Sequence, residues 1–249
     1  MPRAKDCVQI LPITGEEIVD FFSSKSFLDA LDRTANYTYA TGYESGFLAE
    51  RGIDDNRTKI TEIVFSRPES LTFSYREGVQ DVRRKHLYPG RQHREVAGET
   101  PGHYPFFKFH FHPEARGPPC PSEKDLLAAD GVRPLYAKVS KWDVRPIEGV
   151  GIVDNQREIE MVLYQKSIRG ELPREDIQEL YEQIQAISVD AVVKCLRDSG
   201  YYKAEFTRYM KNGTDYVPCQ DALKRLAIFA YNPAIQIESW VMKCRIRQA

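Results

Sequence analysis

Apolar positions near the N-terminus fall at helical spacing and then give way to alternation. Ile18, Phe21, Phe22, Leu28 and Leu31 recur near the helical period after Thr14-Gly15-Glu16-Glu17, whose threonine and second glutamate form a capping-box pattern. This predicts an amphipathic helix over residues 15–33. Residues 43–50 and 59–66 read as strands, and Asp54-Asp55-Asn56 between them is turn material, so a hairpin is expected. Leu71 to Tyr75 allows a further short strand or a loop. The run Phe107-Lys108-Phe109-His110-Phe111-His112 alternates aromatic and polar side chains. Successive side chains on a strand point to opposite faces, which puts the three phenylalanines on a core face and Lys108, His110 and His112 on the other. Pro113 should end that strand, because it cannot donate to a central ladder. Two more strands are predicted over 134–142 and 157–164; in the second, Ile159, Met161 and Leu163 alternate with Glu158 and Glu160.

The remainder changes pattern. Pro173 suits a first helical turn, and Ile177, Leu180, Tyr181, Ile184, Ile187, Ala191, Val192 and Cys195 trace an apolar stripe that stops at Gly200. Further helices are predicted around 201–211 and 219–231, with a last alternating strand from Ile235 to Ile246. The expected organisation is an α/β core over residues 1–168, a mixed sheet flanked by helices, followed by a mainly helical accessory region over 169–249 packed on it.

Bulk properties narrow the possible functions. A net charge of −1 over 249 residues gives no electrostatic case for nucleic-acid binding. No apolar run approaches the ~20 residues of a membrane-spanning helix, and residues 1–6 lack the apolar core of a signal peptide. The five cysteines, Cys7, Cys120, Cys195, Cys219 and Cys244, are scattered and odd in number, which argues for reduced thiols in a cytoplasmic compartment. Residues 83–94 are basic, with Arg83, Arg84, Lys85, His86, Arg91, His93 and Arg94. They read as a solvated loop, or as a segment that meets an acidic partner.

The candidate chemistry sits after the aromatic strand. His110-Phe111-His112-Pro113 is followed, past a Pro/Gly-rich loop, by Ser122-Glu123-Lys124-Asp125 ahead of Leu126-Leu127. Two imidazoles on one strand face and a carboxylate from a nearby helix start make a three-ligand metal site, which leaves one coordination position for water. Alone, the two histidines are ordinary strand residues, and Ser122 with Asp125 is an ordinary helix cap. Their combination is far more specific. All five histidines lie between His86 and His112, and the chain has no Cys-x-x-Cys. Cys120, beside this segment, reads as an incidental buried thiol, with an extra soft ligand or a redox-sensitive thiol as the functional alternatives.

This His-x-His-Pro, loop, Ser-x-x-Asp arrangement resembles the signature of the JAMM (MPN+) zinc metalloproteases. The upstream Tyr43-Glu44-Ser45-Gly46-Phe47-Leu48 is similar to that family's Glu-x-Gly setting. The resemblance covers about residues 10–165. It departs from the pattern in a longer loop, Glu114 to Pro121, and in Ala49 after the Gly46-Phe47-Leu48 run. It implies a JAMM/MPN-like, cytidine-deaminase-like fold and Zn2+ held by His110, His112 and Asp125. It further implies Glu44 as general base and proton donor to the leaving amine, and Ser122 as a hydrogen-bond donor to the oxyanion. The residues themselves allow the same roles, with Glu50 and Glu62 as fallback bases. The implied activity is hydrolysis of peptide or isopeptide bonds, at the C-terminus of a ubiquitin-like protein or its conjugate. Two alternatives stand beside it: a hydrolase of the same fold acting on another bond, and a non-catalytic MPN-type scaffold in a protein complex.

Overall fold

A computed structural model describes residues 12–52, 56–65, 103–113, 117–123, 125–126, 146–167, 173–184 and 188–230. The strand or loop at 71–75, the expected strands at 134–142 and 235–246, and the basic segment 83–94 lie outside the described residues.

The chain opens with α1 (Gly15–Ser23) and α2 (Lys25–Thr41), where one helix over 15–33 was expected. Ser24 makes the break. Its extended backbone (φ −66°, ψ 147°) caps α1, and its side chain accepts from the Phe27 N–H at the start of α2. The Thr14–Glu17 capping box forms in both directions, at 3.2 and 2.9 Å. The helical period carries across the break, so Ile18, Phe21, Phe22, Phe27 and Leu31 all reach one core. α2 continues past residue 33 through Thr34, Ala35 and Thr38, which are buried, until Gly42 ends it with φ 68°. Threonine-rich segments carry a weak helix signal, and tertiary burial overrides it here.

Among the described residues, seven strands form one sheet: β1 (Ser45–Gly52), β2 (Thr58–Phe65), β3 (His103–Phe111), β4 (Ile147–Val153), β5 (Ile159–Lys166), β6 (Tyr202–Asn212) and β7 (Asp215–Pro218). Their order is β2-β1-β3-β4-β5-β6-β7. Among the described strands, only the β3–β4 pair is parallel. The molecule is therefore a mixed α/β protein. A parallel pair cannot be closed by a tight turn and needs a crossover. Residues 112–146 supply it, and they carry Ser122 and Asp125.

Residues 201–211 were expected to be a helix but form β6. Pairing with β5, from Ile159 opposite Tyr209 to Lys166 opposite Tyr202, decides the conformation of an aromatic and threonine-containing segment. The sheet thus continues past residue 168, with β6 and β7 hydrogen-bonded in line with the strands before them. β4 was not anticipated, because Gly149 and Gly151 dilute its apolar signal. A Cβ on Gly149 would lie 2.7 Å from Leu163 and 3.0 Å from Phe109, and one on Gly151 would lie 2.6 Å from Phe109. The two glycines leave room for the Phe109 ring to lie against the β4 backbone. The tail stripe divides into α3 (Arg174–Ile184) and α4 (Val189–Asp198), the latter capped by Ser188. Then α5 (Gln220–Arg225) and a 3-10 turn (Leu226–Phe229) fill most of the helix expected over 219–231.

Alternation gives the sheet two buried faces. Phe47, Phe107, Phe109, Phe111, Met161 and Leu163 pack with Phe21, Phe22 and Phe27 of α1 and α2. Ring pairs such as Phe22–Phe107 and Phe21–Phe106 meet edge-on at 5.0 and 4.9 Å, a geometry that adds about 0.5–1.5 kcal/mol per pair to burial alone. A bulge in the β1–β3 pairing at Ala49/Glu50 lets the neighbours Phe106 and Phe107 both join this core. The opposite face packs Val150, Val162 and Tyr164 against α3 and α4 through Ile177, Leu180, Val192 and Leu196, with Leu126 of the crossover in the same cluster. The expected histidine face is this second one.

Candidate metal centre

His110 is the penultimate residue of β3, directly across from Gly46 on β1 and Val150 on β4. His112 lies just beyond the strand, but its N–H still donates to the Gly151 carbonyl at 2.9 Å, which carries the parallel pairing one step further. The two residues therefore keep their alternation and share a face. Their Nε2 atoms lie 2.9 Å apart. The strand ends at Phe111, two residues ahead of Pro113, where the stop was expected.

The third group arrives from the crossover. The chain turns helical after Ser122, with the Asp125 and Leu126 N–H groups both donating to the Ser122 carbonyl, at 2.9 and 3.0 Å. Leu126, fully buried beside Val150 and Val162, pins this turn to β4, and the Tyr202 hydroxyl donates to the Leu126 carbonyl at 3.3 Å. Asp125 is thereby held over the histidines: Oδ1 lies 3.6 Å from His110 Nε2 and Oδ2 lies 3.5 Å from His112 Nε2. Ser122 fixes its orientation. The Ser122 hydroxyl and N–H both donate to Asp125 Oδ2, at 2.7 and 2.8 Å, while the Asp125 N–H donates back to the Ser122 hydroxyl at 3.2 Å.

Among the described residues, His110, His112 and Asp125 form a group able to hold a metal ion, with all candidate ligand atoms within 4.8 Å of one another. Tetrahedral ligands about 2.0–2.1 Å from a metal sit about 3.3 Å apart, and the observed separations of 2.9, 3.5 and 3.6 Å bracket that value. His110 and Asp125 are buried, with His112 half-buried at the open side. Burial works against charge on the His110 ring. The Asp125 carboxylate, its contact with the ring and the charge of Glu44 outweigh that cost, so the His110 pKa lies above the ordinary histidine value. Burial also works against charge on Asp125, but His110 and His112 hold its pKa well below the usual carboxylate range.

Glu44 immediately precedes β1. Since Ser45 pairs with Phe111 and Gly46 with His110, the register brings Glu44 opposite His112 and onto the histidine face. It is half-buried, and its charge acts on His110. Gly46, between the two in register, adds no side chain there. The fallback bases stand elsewhere. Glu50 is fully buried opposite Pro105, about 16 Å along β3 from His110 at the ordinary strand rise. Glu62 lies across from Leu48 on the outer strand β2, and its side chain is outside the described part. Cys120 does not join the group. Its Sγ contacts the carbonyls of Pro121 and Ile184 at 3.6 Å, and burial together with the Asp125 charge pushes its pKa up to about 12. That leaves a protonated, weakly ligating thiol.

One charged pair on this face was not foreseen. Lys108, in register with Glu148, lies 3.6 Å from its carboxylate one strand step below the histidines, and both side chains are buried. The alternation put Lys108 on this face, but Glu148 belongs to the strand that its glycines concealed.

No family model matches the chain, and no curated protein matches it. No helix among the described residues is long and apolar enough to cross a membrane.

Proposed function

We propose that this chain is a zinc-dependent hydrolase of the JAMM/MPN+ type that cleaves peptide or isopeptide bonds at the C-terminus of a ubiquitin-like protein. The observation that carries the reading is the convergence of His110, His112 and Asp125 on one end of one sheet face, with Glu44 in register beside them. Two neutral imidazoles and one carboxylate form a donor set suited to zinc, and three ligands are what a catalytic zinc site uses. The half-buried His112 side is where water and a substrate carbonyl would enter.

Zinc held by His110, His112 and Asp125 would supply Lewis acidity and lower the pKa of a bound water to about 7. The chain supplies the rest. Glu44 accepts the water proton and later returns it to the leaving amine, as a carboxylate within hydrogen-bond reach can. Ser122 holds Asp125 in one orientation, the kind of second-sphere bond that sets ligand basicity and position. Its single hydroxyl proton is donated to Asp125, so stabilising an oxyanion requires the hydroxyl to rotate away from that partner. Lys108 and Glu148 hold β3 and β4 together beneath the ligands.

The test pairs metal analysis with cleavage of a fusion joined through the Gly-Gly terminus of a ubiquitin-like protein. The purified protein should carry about one zinc per chain, lost in His110→Ala, His112→Ala and Asp125→Ala. Glu44→Gln should keep the zinc and lose most of the hydrolysis, because it removes proton transfer and no ligand. Zinc retained at full stoichiometry in all three ligand variants would remove the site. Full activity in Glu44→Gln would remove the mechanism.

A further inference from the structure

We infer that Thr38 and Ser45 are positioning residues for Glu44, a buried hydroxyl latch that sets which face of the sheet the glutamate occupies. This rests on the reading of Glu44 as the base at the His110–His112–Asp125 centre.

The Ser45 hydroxyl lies 2.8 Å from the Thr34 carbonyl and 2.7 Å from the Thr38 hydroxyl. Each hydroxyl has one proton. A carbonyl only accepts, so Ser45 donates to Thr34 and Thr38 must donate to Ser45. The result is a directed chain, Thr38 O–H to Ser45 O–H to Thr34 carbonyl. Thr34 and Ser45 are fully buried and Thr38 is 3% exposed. With water excluded, each of these bonds is costly to leave unmade.

The latch joins two elements at the point where the chain changes from one to the other. α2 ends at Gly42, whose N–H donates to the Thr38 carbonyl at 2.8 Å and whose φ of 68° turns the chain back. The Tyr43 N–H donates to the Thr41 hydroxyl at 3.2 Å. Only Gly42, Tyr43 and Glu44 lie between α2 and β1. Glu44 is thus the last residue of a three-residue link, clamped behind by the helix end and ahead by Ser45.

The clamp matters because of strand alternation. Ser45 points towards α2, so its neighbour Glu44 must point to the opposite face, where His110 and His112 stand. A slip of one residue would exchange the two side chains and carry the carboxylate to the phenylalanine face. The downstream half of β1 does not guard against that slip. Its pairing shifts at Leu48/Ala49 against β2 and at Ala49/Glu50 against β3. Two irregularities a few residues on leave the start of the strand to be fixed by its own contacts, the Phe47 ring in the aromatic core and the latch, which ties Ser45 itself to α2.

The experiment compares Thr38→Val, which removes the hydroxyl at nearly constant shape, with Ser45→Ala, Thr38→Ser and Glu44→Gln. Each is loaded with zinc and assayed on the Gly-Gly-linked fusion. Misplacing a reacting group by about 1 Å costs up to about 100-fold in rate. We expect kcat to fall about 10- to 100-fold in Thr38→Val and Ser45→Ala, with KM and zinc content close to the parent, and Thr38→Ser to retain most of the rate. Crystal structures of the zinc-loaded parent and Thr38→Val provide a readout independent of turnover, in which the Glu44 carboxylate should move relative to His112. An unmoved carboxylate, or parental kcat in both hydroxyl-deleted variants, overturns the latch. If those variants are fully active while Glu44→Gln is inactive, the latch fails and the base assignment stands. If Glu44→Gln is itself fully active, the base assignment fails and takes the latch with it.

Discussion

Replacing Ser122 by alanine separates two roles that sequence alone could not distinguish. As an oxyanion donor, Ser122 would affect kcat and leave metal binding untouched. The structure places its hydroxyl on Asp125 Oδ2 at 2.7 Å, beside a second bond to the same oxygen from its own N–H at 2.8 Å. The substitution removes the first bond and keeps the second. A hydrogen bond to a charged group contributes about 1.5–3 kcal/mol, which corresponds to about a 10- to 150-fold change in dissociation constant. Some of that loss falls on folding, since the hydroxyl also caps the turn by accepting from the Asp125 N–H at 3.2 Å, and a lost cap costs about 1 kcal/mol. The larger share should appear in metal affinity, because Asp125 must be held at one angle for the ion but can relax in its absence. Zinc affinity measured by competition with a chromogenic chelator at pH 7.5 should therefore weaken at least 10-fold in Ser122→Ala. An affinity within about 3-fold of the parent, with kcat reduced, would refute the anchoring argument and return Ser122 to the oxyanion role.

Other expectations follow from the same geometry. His110, with its pKa raised by Asp125, stabilises the metal-free fold fully below the unfolded value of about 6.5, and that contribution is lost as pH rises through the folded pKa. Asp125, with its pKa lowered by the imidazoles, contributes above about 3.9 and loses that contribution as pH falls. Chelator-treated protein should thus melt highest between about pH 4 and 6.5 and lose Tm towards pH 8, while zinc restores it at the alkaline end; a flat metal-free profile over that range would contradict the coupling. Gly151→Ala sets a Cβ 2.6 Å from the Phe109 ring and should destabilise by about 1–3 kcal/mol in urea unfolding. Because Gly151 also receives the His112 N–H, the same variant should weaken zinc binding. Phe107→Ala empties the centre of the aromatic core, where its ring meets those of Phe21, Phe22, Phe27, Phe47 and Phe109, and should cost about 3–5 kcal/mol by the same measurement.

Elements whose identity depends on local pattern were legible. The Thr14 capping box and the phenylalanine alternation around His110 are each set by neighbouring residues, and the fold retains both; the strand stops at Phe111, two residues short of Pro113. Elements decided by distant partners were not. β6 carries strand-forming residues, Tyr202, Phe206, Thr207 and Tyr209, but a helical reading competes with them until β5 lies beside it along eight paired positions. β4 carries two glycines that weaken any strand, and they are there because the Phe109 ring, forty residues earlier, occupies the space their side chains would need. The break at Ser24 is similar, since one serine both ends α1 and begins α2 while the apolar period runs on unchanged.

The site divides along the same line. The candidate ligands could be read from spacing because His110 and His112 alternate along one extended run, and Ser122 and Asp125 share one helical turn. What brings the two pairs together could not. It depends on β3 and β4 being parallel, which forces a crossover, and on Leu126 finding Val150 and Val162, which seats that crossover on the histidine face. It depends as well on Tyr202, in the strand taken for a helix, reaching the Leu126 carbonyl. The accessory region and the core are therefore coupled at the candidate metal centre: β6 supplies the bond that steadies the turn carrying Asp125. It follows that Tyr202→Phe, which removes that hydroxyl and preserves the ring, should weaken zinc binding while leaving the second core packed. An accessory region that only covers the core would give a variant with parental affinity.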